Sequence, residues 1–136
     1  MLKLLIAGSR SITDYDTVAG IIEYGLNRLG SPTIVISGMA KGVDTLAVQW
    51  ALKRGLNDSD IWKFPVTSEE WSKDPYGAGH KRNNEMGDIA DCAIIIHDGV
   101  HMNKGGTIHM KKYMDKIGKP VVYWNVLQRM NNLEFL

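Results

Sequence analysis

The stretch Thr33–Gly55, TIVISGMAKGVDTLAVQWALKRG, constrains the fold more than any other part of the chain. Its β-branched run Ile34–Ile36 reads as a strand buried on both faces. The segment Ser37, Gly38, Met39, Ala40, Lys41 and Gly42 follows, rich in small residues that let a backbone turn tightly and approach a ligand. From Val43 the apolar positions switch to a helical period, with Leu46, Ala47, Trp50 and Ala51 on the same face. The reading is strand, small-residue loop, helix. Such a junction aims free helix N–H groups past the strand's C-terminal end, where an anion can sit. A plain turn that uses its glycines only to bend is the alternative. Lys41 would add a mobile charge, and Asp44 in the first turn would complement the helix dipole.

The same pattern recurs along the chain. Leu2–Ala7 is an apolar strand ending in Gly8, Ser9 and Arg10. Thr13 or Asp14 can cap the next helix, whose core face is Val18, Ile21, Ile22, Gly25, Leu26 and Leu29, and Gly30 and Pro32 stop it. Ile61–Val66 reads as a third strand, and Thr67–Gly79 as an irregular loop holding Trp71, Pro75 and Tyr76. A short helix over His80–Ala90, a strand over Cys92–His97, a helix over Thr107–Ile117 and a strand over Val121–Val126 complete the series. Leu127–Leu136 is a short tail that could pack on the body or on a second copy, leaving a homo-oligomer open. Strands alternating with helices demand a parallel sheet covered on both faces by right-handed crossovers. The expected fold is α/β, a three-layer doubly wound Rossmann-like sandwich with a five-stranded parallel sheet in the order 3-2-1-4-5. At 136 residues the chain fits one domain, residues 1–136, without disulfide or metal staples.

The net charge of +1 provides no bulk field for nucleic acid or a membrane. A lone cysteine, Cys92, excludes an intrachain disulfide and fits a reducing compartment as an inert buried thiol. The start MLKLLIAGSR turns polar too quickly for a signal peptide, and no apolar run approaches membrane-spanning length. A cytoplasmic protein with no membrane partner is expected.

Ligands of doubly wound sheets bind where the strand order reverses, here outside the first and fourth strands. Three small-residue loops would meet there: Gly8-Ser9-Arg10, Ser37–Gly42, and Gly105-Gly106-Thr107. Arg10, Lys41, Arg82 and Lys104 are possible cations. Together they fit a phosphate, diphosphate or phosphoribosyl group. No P-loop, no G-x-G-x-x-G after the first strand and no G-x-S-x-G elbow is present, so Ser9 and Ser37 read as hydrogen-bond donors rather than nucleophiles. His97, Asp98 and His101 lie close in sequence without ligand spacing, and no metal is expected. His80 and His109 read as surface histidines. Trp71 and Tyr76 are either a base-stacking lid or anchors for their loop.

These pieces taken together resemble the SLOG superfamily, the Rossmann-like fold shared by DNA-processing protein A and the LOG phosphoribohydrolases, and within it the small single-domain YspA/YpsA-related branch. The matching stretches are IAGSRSITDY, VISGMAKGVDTLAVQWA, the E-E-W of Glu69, Glu70 and Trp71, AGHKRNNEM, ADCAIIIHDG, GGT and GKPV, and they run in family order over nearly the whole chain. The resemblance implies a site at the strand C-termini and a nucleotide-derived ligand. It carries over to Gly8, Ser9 and Arg10, to Ser37, Gly38, Ala40, Gly42 and Asp44, to Gly79, Arg82 and Asn83, and to Gly106 and Thr107. The LOG enzymes place glutamates just after the threonine of their glycine loop, whereas this chain has His109 and Met110 there. Hydrolysis of a glycosidic bond thereby loses its obvious carboxylate, for which Asp44 or Glu70 would have to substitute. The leading expectation is a binder of a nucleoside phosphate or ADP-ribose-like molecule, with no further cofactor assigned. An N-glycosidic (phosphoribosyl) hydrolase is the alternative. Single-stranded DNA binding ranks third, since phosphate-backbone binding needs a cationic track.

Overall fold

A computed structural model describes residues 1–127. The tail expected over Leu127–Leu136 lies outside the described residues apart from Leu127. Five strands, β1 (Lys3–Gly8), β2 (Ile34–Ser37), β3 (Ile61–Lys63), β4 (Cys92–His97) and β5 (Val121–Asn125), pair in parallel in the order β3-β2-β1-β4-β5. The Rossmann-like order expected from the alternation of elements is the order observed.

Successive side chains of a buried strand point to opposite faces, so the sheet carries two separate apolar layers. Leu4, Ile6, Val35, Ile94 and Ile96 face α1 (Tyr15–Leu29) and α2 (Val43–Lys53), meeting Val18, Ile22, Ala47 and Trp50. Leu5, Ala7, Ile36, Ala93 and Ile95 face α4 (Ala78–Ile89) and α5 (Gly106–Lys116), meeting Met86, Met110 and Met114. Asp14 caps α1 by accepting the Thr17 N–H at 3.0 Å, and Gly30 closes it with φ 99°. Cys92 is buried at the start of β4, and its thiol is pushed up to about 11 by burial and then by Asp91. No helix among the described residues is long and apolar enough to cross a membrane.

Two expectations need correction. The third strand stops at Lys63 rather than Val66, because Pro65 has no N–H to donate and disfavours regular pairing around it. Phe64 gives the last bond of this edge, from its N–H to the Ser37 carbonyl at 2.8 Å. The segment expected to be an irregular loop instead contains a helix, α3 (Ser68–Lys73), started by a reciprocal cap between Thr67 and Glu70. The T-x-x-E spacing that builds this cap is legible in the sequence.

Candidate functional site

At the C-terminal edge of the sheet, between β1 and β4, a cleft of about 730 Å³ opens against α4 and α5. That volume falls within the range of small-molecule sites. The three small-residue loops converge here, but they do different things.

The loop after β1 docks onto the start of α2. Val43 N–H donates to the Ser9 carbonyl at 3.3 Å, so backbone from the first loop fills the seat that an anion was expected to take. Ser9 also joins the two central strands, its N–H reaching Ile96 O and its hydroxyl accepting from Asp98 N–H, both at 3.0 Å. The loop after β2 is braced from within. Buried Ser37 donates to the Asp44 carbonyl and accepts from Met39 N–H, both at 3.1 Å, holding Met39 at φ 60°.

The N-terminus of α5 is the open one. Its cap residue Gly105 has φ 98°, no side chain caps it, and nothing lies within 4 Å of where Cβ atoms would stand on Gly105 or Gly106. Gly105, Gly106, Thr107 and Lys104 all line the cleft. Arg10 faces them, and the side chains of Arg10 and Lys104 make no hydrogen bond or ion pair among the described residues.

Asp44 lies in the first turn of α2, as expected, but buried rather than solvated. The residue is 4% exposed, and its carboxylate accepts from Gly8 N–H and Ala40 N–H, each at 3.3 Å, at the floor of the cleft. Burial raises its pKa to about 6, against the pull of those two N–H groups, Arg82 and Arg10. Asp98, at the end of β4, goes the other way. Burial opposes ionisation there, but the Ser11 hydroxyl at 2.6 Å and the Val100 N–H at 2.8 Å bring it below the ordinary range.

Arg82 is less free than a ligand-gripping cation. Its Nη1 donates to the Gly38 and Phe64 carbonyls at 2.7 and 3.1 Å, tying the ends of β2 and β3 to α4. Arg82→Ala strips both carbonyls of their donor and should cost about 2–3 kcal/mol in a urea melt. Wild-type stability of that variant would mean that water replaces the guanidinium.

The cleft therefore gathers Gly8, Ser9, Arg10, Ala40, Asp44, Trp71, Gly79, Arg82, Asn83, Asp98, Gly105, Gly106 and Thr107 from the sequence-based set. It leaves out Ser37, Gly38, Met39, Lys41, Gly42 and Glu70. Gly38 serves Arg82, Gly42 packs against the first loop, Lys41 points to solvent, and the Glu70 carboxylate is occupied by Thr67 N–H at 3.2 Å on the exposed face of α3. Glu70 is thus not placed to stand in for a missing catalytic carboxylate. Trp71 packs over Gly79 while lining the cleft, and Tyr76 stands 90% exposed at its mouth.

His80 and His109, which read as surface histidines in the sequence, meet at the edge of this cleft. His80 lines the cleft and stacks on His109, and only the packing of α4 on α5 brings them together. His97 is buried, accepts Gly99 N–H at Nδ1 at 3.2 Å, and is held below the ordinary imidazole range by burial, opposed by Asp98. No cluster of three metal-ligating side chains occurs among the described residues. Lys119, in the GKPV stretch, lies apart from the cleft lining, where its ammonium binds the last carbonyls of α4 at Gly87, Asp88 and Ala90.

Set against known proteins, the chain matches no family model and no solved structure. It is 32% identical over 127 residues to the Gene 61 protein of Mycobacterium phage D29, an alignment covering 90% of this chain and 95% of that one.

Proposed function

Because the chain belongs to the family of the Gene 61 protein of Mycobacterium phage D29, whose name carries no chemistry, we propose a function from the cleft itself: it binds a phosphorylated, nucleotide-derived ligand. The observation that carries this reading is the uncapped glycine start of α5 opening into the cleft, which Arg10 and Lys104 also line with side chains that make no hydrogen bond or ion pair among the described residues. Backbone N–H groups with a helix dipole behind them favour phosphate, and a guanidinium can grip it through two bonds. Trp71, Pro75 and Tyr76, which also line the cleft, provide apolar surface for a base. The reading agrees with membership of the SLOG superfamily, which we propose on the motifs quoted above. The single buried thiol fits action in the cytoplasm.

Phosphate-bearing nucleotides should raise the melting temperature while the matching nucleosides barely do so. A ligand at ~100 times its dissociation constant adds about 2.7 kcal/mol. Arg10→Ala should lower nucleotide affinity about tenfold or more and leave the melt of the free protein nearly unchanged, since its side chain makes no hydrogen bond or ion pair among the described residues. An absence of shifts across mononucleotides, dinucleotides and ADP-ribose would sink the reading.

Asp44 favours a second reading, hydrolysis of the ligand's N-glycosidic bond. A cleft carboxyl with a pKa of about 6 is suited to proton transfer near neutral pH. Release of free base from a bound nucleotide, lost in Asp44→Asn, would establish it.

A further inference from the structure

Beside the start of α5, His80 and His109 lie face to face, with ring centroids 3.8 Å apart and planes 2° from parallel. Two imidazolium rings at that separation would repel, so the stack disfavours a second charge. Asn83 decides which ring stays neutral. Its Oδ1 accepts from Arg82 Nε at 3.1 Å, which turns its Nδ2 toward the Gly106 carbonyl at 3.1 Å and His109 Nδ1 at 3.2 Å. His109 Nδ1 is thereby an acceptor, and the neutral ring carries its hydrogen on Nε2. A proton on Nδ1 would break that bond and set two donors against each other. Burial, and then His80, hold the His109 imidazole below its ordinary range. His80 has no such bond among the described residues and lines the cleft.

We propose that the stack makes the site selective for phosphomonoesters: a dianionic phosphate binds with uptake of one proton, carried by His80 against a neutral His109. This rests on the phosphate-binding reading. A phosphomonoester carries about −1.5 to −2 charge at pH 7, enough to draw a proton onto the neighbouring imidazole, whereas a diester carries a single charge and draws one far less. The proton comes from solvent, and no covalent bond changes. Other charged or titratable groups face the same cleft: Arg82 of α4, Arg10, Asp44, His97 and Asp98 with His101, and Lys104. Asp44, His97 and His101 are the rival proton acceptors among them.

The test is calorimetric titration of the full chain at pH 7 with adenosine 5′-monophosphate, ribose 5-phosphate and 3′,5′-cyclic adenosine monophosphate, in buffers of different ionisation enthalpy. The monoesters should bind with uptake of about one proton, and the cyclic diester with none and about tenfold more weakly. Above neutral pH the monoester affinity should fall by about tenfold per pH unit at most, as one-proton linkage requires. His80→Gln should abolish the uptake, and Asp44→Asn should keep it. Imidazole NMR of the free protein probes the stack without ligand, with His109 expected to stay neutral while one proton enters the pair. Uptake that survives in His80→Gln, or vanishes in Asp44→Asn, overturns the proposal. If none of the three probes binds, the phosphate-binding reading falls and this inference falls with it, even where NMR finds a singly protonated stack.

Discussion

Gly42→Ala is expected to cost about 3 kcal/mol or more of stability, and to do so through the protein's own first loop. Gly42 holds φ 84° and ψ −132°, a conformation that strains an L side chain by roughly 1–2 kcal/mol. A Cβ there would stand 2.5 Å from the Ser9 carbonyl oxygen and 2.7 Å from Arg10 Cα. Both are backbone atoms and cannot swing aside. Overpacking of this kind adds about 1–3 kcal/mol, because the loop after β1 must withdraw and release the bond from Val43 N–H to Ser9 O. Paired denaturant melts of the variant and the wild type measure the loss. A cost below about 1 kcal/mol would show that the loop can retreat freely, and that its position on α2 is not fixed by the glycine.

The second large effect is a pH dependence centred on Asp44. Its carboxyl has a pKa of about 6 in the folded protein against an ordinary value of 3.8, because burial outweighs its two N–H donors and the nearby arginines. Below pH 3.8 the group is protonated both folded and unfolded, and it imposes no penalty. As pH rises from there the unfolded chain gives up its proton first, so the folded state loses stability, and above pH 6 the full penalty of about 3 kcal/mol is present. Asp44→Asn removes the titration but keeps only one acceptor for the Gly8 and Ala40 N–H groups, a cost that does not change with pH. The stability of wild type relative to Asp44→Asn should therefore fall by about 3 kcal/mol between pH 3.5 and 7.5. Urea melts at a series of pH values give that difference directly. A difference that stays flat would mean that Asp44 is ionised over the whole range and that water or the arginines compensate its burial.

The chain's local patterns determined the architecture. The β-branched runs at Ile34–Ile36 and Cys92–His97, each followed by a helical period, require parallel strands with crossovers, and few arrangements of five such units satisfy handedness and burial. The cleft's place at the β1–β4 boundary follows from that order alone. Glycine-rich loops could also be read from composition, but not which of them would stay open. Backbone from the first loop fills the α2 terminus, while α5 is left uncapped, and this depends on how closely Gly42 lets Ser9 approach. The burial of Asp44, the pinning of Arg82 by two carbonyls, the diversion of Glu70 to Thr67 and the stacking of His80 on His109 likewise belong to tertiary structure. Sequence periodicity reports which face of an element is apolar, and that is a property of near neighbours. Hydrogen-bond partners and desolvation depend on residues tens of positions away, 44 between Gly38 and Arg82, and only the packed chain sets those distances.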